Sequence, residues 1–420
     1  MRLYLRPEWL IDGTCAPART RQTVVIEGQH IQAVGPSNEI LPCESGVVVD
    51  LPGVTVIPGL INNHVHLELP GDNTPFTTLQ TESDSELALR AAYNARESLR
   101  AGVTTVRDCG GRGATVVDMR NAQAKGHIPG PRIFATAWPI TITGGHGRYF
   151  GGEADGAYAL TRLVRRIVSC GADFVKVFAS GGGTPGSLSQ YPSFSAAELR
   201  AIVETAHGLG RPVAAHCTAT QSISNAIEAG VDLIEHALFV APDGISRYDP
   251  CVGERLAESG IPVITTMQVA RDLVDLGMEV PEHDRWQRML QSDREIKTRL
   301  KELGVRLIAG SDAGWRATSF ATFWKELAEL VEIGMSPIEA VHAATGAGAS
   351  VLGLDRQCGT IRPGLVADLV LVSGNLSEDI LRLAHVEGVF QAGAPIYLSA
   401  GLCTRVCRPG GLRPFPASPS

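Results

Sequence analysis

The 420-residue chain predicts an α/β fold, a (β/α)8 TIM barrel joined to a small β-rich domain drawn from both ends of the chain. Three observations predict it. Short runs rich in Val and Ile alternate with helical stretches of roughly 10–18 residues. Glycine closes several of those stretches just before the next strand, as in Ala101-Gly102-Val103, Cys170-Gly171-Ala172, Ala229-Gly230-Val231, Ser259-Gly260-Ile261 and Leu303-Gly304-Val305. Strand-rich segments with turn residues flank the alternating region on both sides.

The elements follow in order. Thr23–Gly28 and His30–Gly35 read as a hairpin turning at Glu27-Gly28-Gln29, and Gly46–Leu51 as a further strand. Eight barrel strands are expected near Val54–Leu67, Val103–Asp108, Arg132–Thr136, Phe174–Ala179, Pro212–His216, Leu233–His236, Pro262–Met267 and Arg306–Ser311. Between them fall helices such as Ser85–Ala101, Ala157–Cys170, Ser195–Leu209, Ser222–Ala229 and Asp284–Leu303. Ala367–Val372 and Val386–Phe390 are strand-like again, and Gly393-Ala394-Pro395 marks a turn. Strands alternating with helices imply a parallel sheet with right-handed crossovers, and eight units in ~290 residues favour a barrel over an open sheet. The barrel is expected over 56–355, the β domain over 1–55 and 356–410, and a flexible Pro/Ser-rich tail over 411–420.

Composition narrows the function. A formal charge of −7 argues against nucleic acid or an anionic membrane as the main partner. No apolar run reaches the ~18–20 residues needed to span a bilayer, and the start, Met1 to Glu8, lacks the apolar centre of a secretory signal. Nine scattered cysteines without a CxxC pair indicate neither a zinc ribbon nor a disulfide framework, and fit a reducing cytoplasm. Of the 37 basic residues only five are lysines: Lys125, Lys176, Lys297, Lys301 and Lys325. The bias fits a GC-rich genome. It also makes one lysine conspicuous.

Barrel enzymes carry their chemistry at the C-terminal ends of strands, so polar residues there are candidates. The first strand ends Asn62-Asn63-His64-Val65-His66, and a period of two puts both imidazoles on one face. Lys176 sits mid-strand in Phe174-Val175-Lys176-Val177-Phe178, where an ammonium is expensive to bury. Three explanations fit it: a Schiff-base lysine, a lysine paired with a buried acid, or a neutral amine carboxylated by CO2. His216 ends the fifth strand, His236 the sixth, and Asp312 the eighth. Four histidines, one buried lysine and one aspartate at strand ends suit zinc or a similar divalent ion.

With those motifs the chain is identified as a member of the amidohydrolase superfamily with a binuclear metal centre. It resembles the imidazolonepropionase-like and Xaa-Pro/Xaa-Arg dipeptidase branch. The carriers are Pro58 to His66, Gly102-Val103-Thr104-Thr105-Val106-Arg107-Asp108, Thr143-Gly144-Gly145-His146-Gly147, Gly171 to Lys176, Ala215-His216, Ile234-Glu235-His236-Ala237, Gly310-Ser311-Asp312-Ala313-Gly314 and Gly359 to Val370. The resemblance implies a distorted barrel plus a small β-sandwich from both termini. It implies that His64, His66 and Asp312 hold a buried metal, and His216 and His236 a more exposed one. A carboxylated Lys176 and a hydroxide would bridge the two. Asp312 would shuttle the proton to the leaving nitrogen, and His146 would donate to the oxyanion. Arg148, Tyr149 and Tyr191 are candidates to meet a substrate carboxylate.

The expected activity is hydrolysis of an amide-type C–N bond in N-acyl amino acids or dipeptides, with cyclic amides, carbamates or ureas as the alternative. Two divalent ions, Zn2+ above all, are the expected cofactors, the substrate is a small molecule, and a homo-oligomer is expected. A mononuclear deaminase is disfavoured because His216-Cys217-Thr218-Ala219 lacks an HxxE glutamate. A non-catalytic scaffold is disfavoured because all six ligands are kept, and a Schiff-base lyase because it leaves four histidines unexplained. His207 and His342 read as structural. The loop Ser180-Gly181-Gly182-Gly183-Thr184-Pro185-Gly186-Ser187 departs from the dipeptidase branch, so dipeptide specificity does not carry over with the rest.

Overall fold

The structure is a computed structural model and describes residues 2–277 and 282–406. The tail expected at 411–420, with Cys407, lies outside the described residues. By their internal contacts the described residues form two compact units, 2–62 with 96–105 and 321–406, and 63–95 with 106–320.

In the first unit, strands β1 (Arg2–Leu10), β2 (Arg19–Thr20), β3 (Gln22–Glu27), β4 (His30–Pro36) and β5 (Val47–Pro58) come from the N-terminal end. Later in the chain come β6 (Leu60–Val65), β7 (Val103–Asp108), β8 (Arg132–Ala135), β9 (Val175–Phe178), β10 (Val213–Ala219), β11 (Leu233–Val240), β12 (Val263–Ile264) and β13 (Leu307–Ile308). Strands β14 (Leu369–Ser373), β15 (Val386–Gln391) and β16 (Ala394–Leu398) return to the first unit. There the two ends of the chain share one eight-stranded sheet, ordered β16-β15-β14-β5-β1-β3-β4 with β2 on β1. The hairpin is as read: Glu27 faces His30 across Gly28, which takes the left-handed φ of 58° that a two-residue turn requires. Leu3, Leu5, Val24, Ile26, Val54, Val56, Leu369 and Leu371 alternate along their strands into one core. Each such side chain contributes about 1.5–3 kcal/mol by leaving water.

The run expected as one strand, Val54–Leu67, is divided. Val54–Pro58 pairs antiparallel with β14, and β6 starts only after Gly59. A side chain at Gly59 would overlap Thr104, which is why this crossing is built on glycine.

The second unit alternates strand and helix. Helices α1 (Pro75–Thr81), α2 (Asp84–Arg100), α3 (Thr115–Ala124), α4 (Gly156–Ser169), α5 (Ala196–Gly208), α6 (Thr220–Ala229), α7 (Pro250–Ser259), α8 (Gln268–Asp275) and α9 (Glu282–Glu302) separate its strands. The start of α5 is fixed by a reciprocal cap: Ser195 Oγ accepts from Glu198 N–H, and Glu198 Oε2 accepts from Ser195 N–H. The parallel pairs β9–β10, β10–β11, β11–β12 and β12–β13 make one sheet, and β6-β7-β8 another. Backbone bonds also join the ends of these sheets. Ile140 N–H donates to Lys176 O at 2.9 Å, and Asn63 N–H to Ala309 O at 3.1 Å. Asp312 N–H donates to His64 O at 2.9 Å, and His66 N–H to Ala313 O at 2.8 Å. Strands β12 and β13 are two residues each, shorter than the runs that announce them. No described helix is long and apolar enough to cross a membrane.

Candidate active site

The strand ends deliver their histidines to one place. Ring centroids run His66 to His64 at 5.4 Å, His64 to His236 at 4.9 Å, His236 to His216 at 4.5 Å, and His216 to His146 at 4.7 Å. All five are buried. Asp312 joins them from beyond β13, its Oδ1 lying 3.3 Å from His64 Nε2 and 3.5 Å from His66 Nε2. That oxygen is buried without a hydrogen-bond donor. Ligand atoms of His64, His236 and Asp312 all lie within 4.8 Å of one another, a group able to hold a metal ion.

Hydrogen bonds fix which ring nitrogen is free. His66 Nδ1 donates to Gly110 O at 2.7 Å, leaving the Nε2 lone pair. Thr266 Oγ1 gives its proton to Thr265 O and therefore accepts from His236 Nδ1 at 2.7 Å, again leaving Nε2. His216 is reversed: Nε2 donates to Gly181 O at 3.2 Å and leaves Nδ1. Partners on the far nitrogen are what orients a metal-ligating imidazole. Burial pushes the pKa of all four histidines at these strand ends below the ordinary value, so they are neutral, the ligating form. It pushes the Asp312 carboxyl up. Both trends oppose charge in a buried site, and a cation would relieve the second. The residues present therefore fit a divalent metal.

Lys176 lies on β9 with no exposed surface, and burial lowers its pKa to about 8. Its Nζ is in contact with Glu235 Oε2, from β11. Glu235 is equally buried, and its other oxygen accepts from Arg107 Nη2 at 2.6 Å and from the Cys109 thiol at 3.2 Å. His64 Nδ1 is 3.6 Å from that same oxygen. Sequence reasoning gave Glu235, Arg107 and Cys109 no role. Their signal was present: an acid in Leu233-Ile234-Glu235-His236 and an arginine in Val103-Thr104-Thr105-Val106-Arg107, both inside apolar strands.

His146 is held by the loop after β9. Thr184 N–H, which can only donate, lies 3.4 Å from His146 Nδ1, and Thr184 Oγ1 lies 2.8 Å from it. The hydroxyl accepts from Gly147 N–H at 3.0 Å and has its own proton free for Nδ1. Nδ1 is therefore the acceptor, and Nε2 carries the hydrogen. A Cβ on Gly182 would fall 2.6 Å from Nε2, so only glycine leaves that nitrogen uncovered. Gly182 lies in the glycine-rich loop Ser180–Ser187 that departs from the dipeptidase branch.

Around this centre stands an aromatic wall. Phe76 meets Tyr149 at 5.3 Å and Trp315 at 5.0 Å, Trp315 meets His146 at 5.9 Å, and Phe150 stacks on His66 at 5.5 Å. Arg148 lies over the Tyr149 ring, donates to its hydroxyl at 2.8 Å and to Pro185 O at 3.0 Å. Tyr191 is half exposed and joins the loop through its backbone, whose carbonyl accepts from Gly181 N–H at 3.2 Å. His207 and His342 lie elsewhere, bonded to Asp232 at 2.8 Å and to Gly13 O at 2.8 Å.

Neutral imidazoles converging on a buried carboxylate at the ends of parallel strands define a hydrolytic, metal-binding class of site. The chain belongs to the amidohydrolase family, whose sequence signature matches residues 55–399. Among its relatives, ochratoxinase of Aspergillus niger is 30% identical over 405 residues, covering 88% of this chain and 81% of that protein. Imidazolonepropionase of Symbiobacterium thermophilum is 26% identical over 388 residues and 82% of each chain. A solved Xaa-Pro dipeptidase with methionine bound in its active site superposes with a TM-score of 0.84, at 29% identity, over 95% of this chain and 100% of that one. The chain is accordingly an enzyme, a hydrolase acting on C–N bonds.

Proposed function

We propose that the protein hydrolyses the amide bond of N-acyl amino acids or dipeptides at a binuclear centre. His64, His66 and Asp312 would hold one divalent ion, His216 and His236 a second, and a carboxylated Lys176 would bridge them. Zinc suits the imidazole and carboxylate donors. When bound, the metals supply Lewis acidity that polarises the scissile carbonyl and lowers the pKa of water. The observation that carries the reading is the set of three hydrogen bonds that leave His66 Nε2, His236 Nε2 and His216 Nδ1 as free lone pairs.

The chain's own groups do the rest. Water oxygen bonds to the carbonyl carbon as Asp312 takes its proton, and Asp312 returns that proton to the nitrogen as the C–N bond breaks. His146 donates its Nε2 hydrogen to the oxygen on which charge develops, and burial keeps it neutral by pushing its pKa down to about 3. Arg148 spends two of its N–H donors on Pro185 and Tyr149 and keeps others for a substrate carboxylate. Phe76, Tyr149 and Trp315 favour a bulky apolar group beside it. The solved relatives named for dipeptidase activity and the ochratoxinase relative support an amide or peptide substrate. The imidazolonepropionase relative keeps cyclic amides in the panel.

The bonds from Asn63 to Ala309 and from Ile140 to Lys176 support closure of the eight strands into one barrel over 56–355. The one sheet shared by strands from both ends supports a common β domain over 1–55 and 356–410, the segments expected to form a β-sandwich. Eight free cysteines among the described residues support a reducing, cytoplasmic setting. The deciding experiment screens zinc- or manganese-loaded protein, in bicarbonate, against dipeptides, N-acyl amino acids, carbamates and cyclic amides. Turnover confined to substrates without an acyl C–N bond would overturn the reading.

A further inference from the structure

The second fully buried lysine, Lys297 on α9, has no part in the chemistry above. Its ammonium meets three acceptors: Asp293 Oδ1 at 2.5 Å one turn back on α9, the carbonyl of His236, and the carbonyl of Ala237 at 3.2 Å. Three protons and three acceptors match, and Asp293 balances the charge. The carbonyls it binds belong to an unusual stretch of backbone. His236 has φ 67°, Ala237 φ 51° and Phe239 φ 49°, all left-handed, on residues for which that region is unfavourable. Such residues are strained and persist only where surroundings hold them. Here the pairing of β10 with β11 also slips, from Cys217 opposite His236 to Ala219 opposite Val240. The unusual turn lies at the residue that presents the His236 imidazole.

We propose that Lys297 is a positioning residue that holds the left-handed His236–Ala237 backbone and so aims His236 at the metal. It acts from outside the barrel through two main-chain carbonyls, while Thr266 fixes the same histidine through its ring. The role rests on the metal-centre reading, and the test separates the two.

Metal content and zinc affinity, by competition with a chelator, are measured on the full chain for wild type, Lys297→Met/Asp293→Leu, and the same pair carrying Ala237→Gly. The first variant removes both charges together, so no lone buried charge remains. It should bind its second zinc about 10–100-fold more weakly. Glycine adopts the left-handed region freely, so Ala237→Gly should restore much of that affinity. Packing loss alone would not respond to it. If the charge-free pair does not fold, Ala237→Gly in the same background decides: a folded two-zinc protein supports the role, and continued failure overturns it. Unchanged zinc affinity in the folded pair, or no gain from glycine, also overturns it. A wild type that binds no zinc would sink the metal-centre reading and this role together. A wild type that binds two while the pair binds identically sinks this role alone.

Discussion

Lys176 on β9 and Glu235 on β11 face each other across the interior with neither side chain exposed, and Arg107 holds the far oxygen of the glutamate at 2.6 Å. The glutamate thus has a permanent cation of its own. Burial lowers the Lys176 pKa to about 8, toward the neutral amine that the proposed carboxylation requires, while its Nζ stays in contact with the other oxygen of Glu235. A guanidinium could not replace it, because it neither deprotonates nor forms a carbamate.

The Lys176→Ala variant should therefore fold and yet lose metal and at least ~100-fold in turnover. Short carboxylic acids, which mimic the carbamate, should restore part of both. The checks are elemental analysis and kcat with and without added acetate or propionate. Unchanged metal content and turnover would refute the bridging role.

Arg107→Met should behave differently. It removes one of the two cations beside the buried Glu235 carboxylate and leaves only Lys176, so it should destabilise the fold, read by urea denaturation. Adding Glu235→Leu should recover most of that loss, since an ion pair replaced by apolar groups is often neutral in stability.

His146→Ala should lower kcat by about 100–1,000-fold, the usual effect of removing an oxyanion donor. Thr184→Val removes the hydroxyl that sets its tautomer and should lower kcat by about 10-fold with little change in KM. Thr184→Ser should stay near wild type. With its pKa near 3, His146 does not change charge between pH 5 and 9. The pH–rate profile of the alanine variant should therefore keep its shape while falling throughout.

Removing metal with a chelator should abolish activity and lower Tm, because a ligand bound only by the folded state stabilises it. Zinc added back should restore both. An apo-protein with wild-type Tm would contradict the centre.

Much of this architecture was legible in the sequence. Glycines 102, 171, 230, 260 and 304 stop their helices where expected, each at positive φ. His64, His66, Lys176, His216, His236 and Asp312 stand out because apolar strands reject such residues. What escaped was decided by tertiary packing. Glu235 and Arg107 are legible singly but have meaning only as a pair from two strands 128 positions apart. Thr184 looks like any loop threonine until it meets His146. Lys297 lies in a helix of strongly polar sequence, where only Leu290, Ile296 and Leu300 mark its side as the buried one. The division at Gly59 was hidden because Val56-Ile57 and Leu60-Ile61 are apolar on either side of it.

The burial of Lys176 and Lys297 leaves the folded chain with few reactive amines. Lys125 is exposed, and Lys301 and Lys325 are half-buried. An acylating reagent applied to the native protein will mark those three side chains and miss the two inside. Modification at either hidden amine then times the opening of the strands around it. The scarcity of lysine makes this chain its own probe of breathing at the catalytic end, with mass spectrometry as the clock.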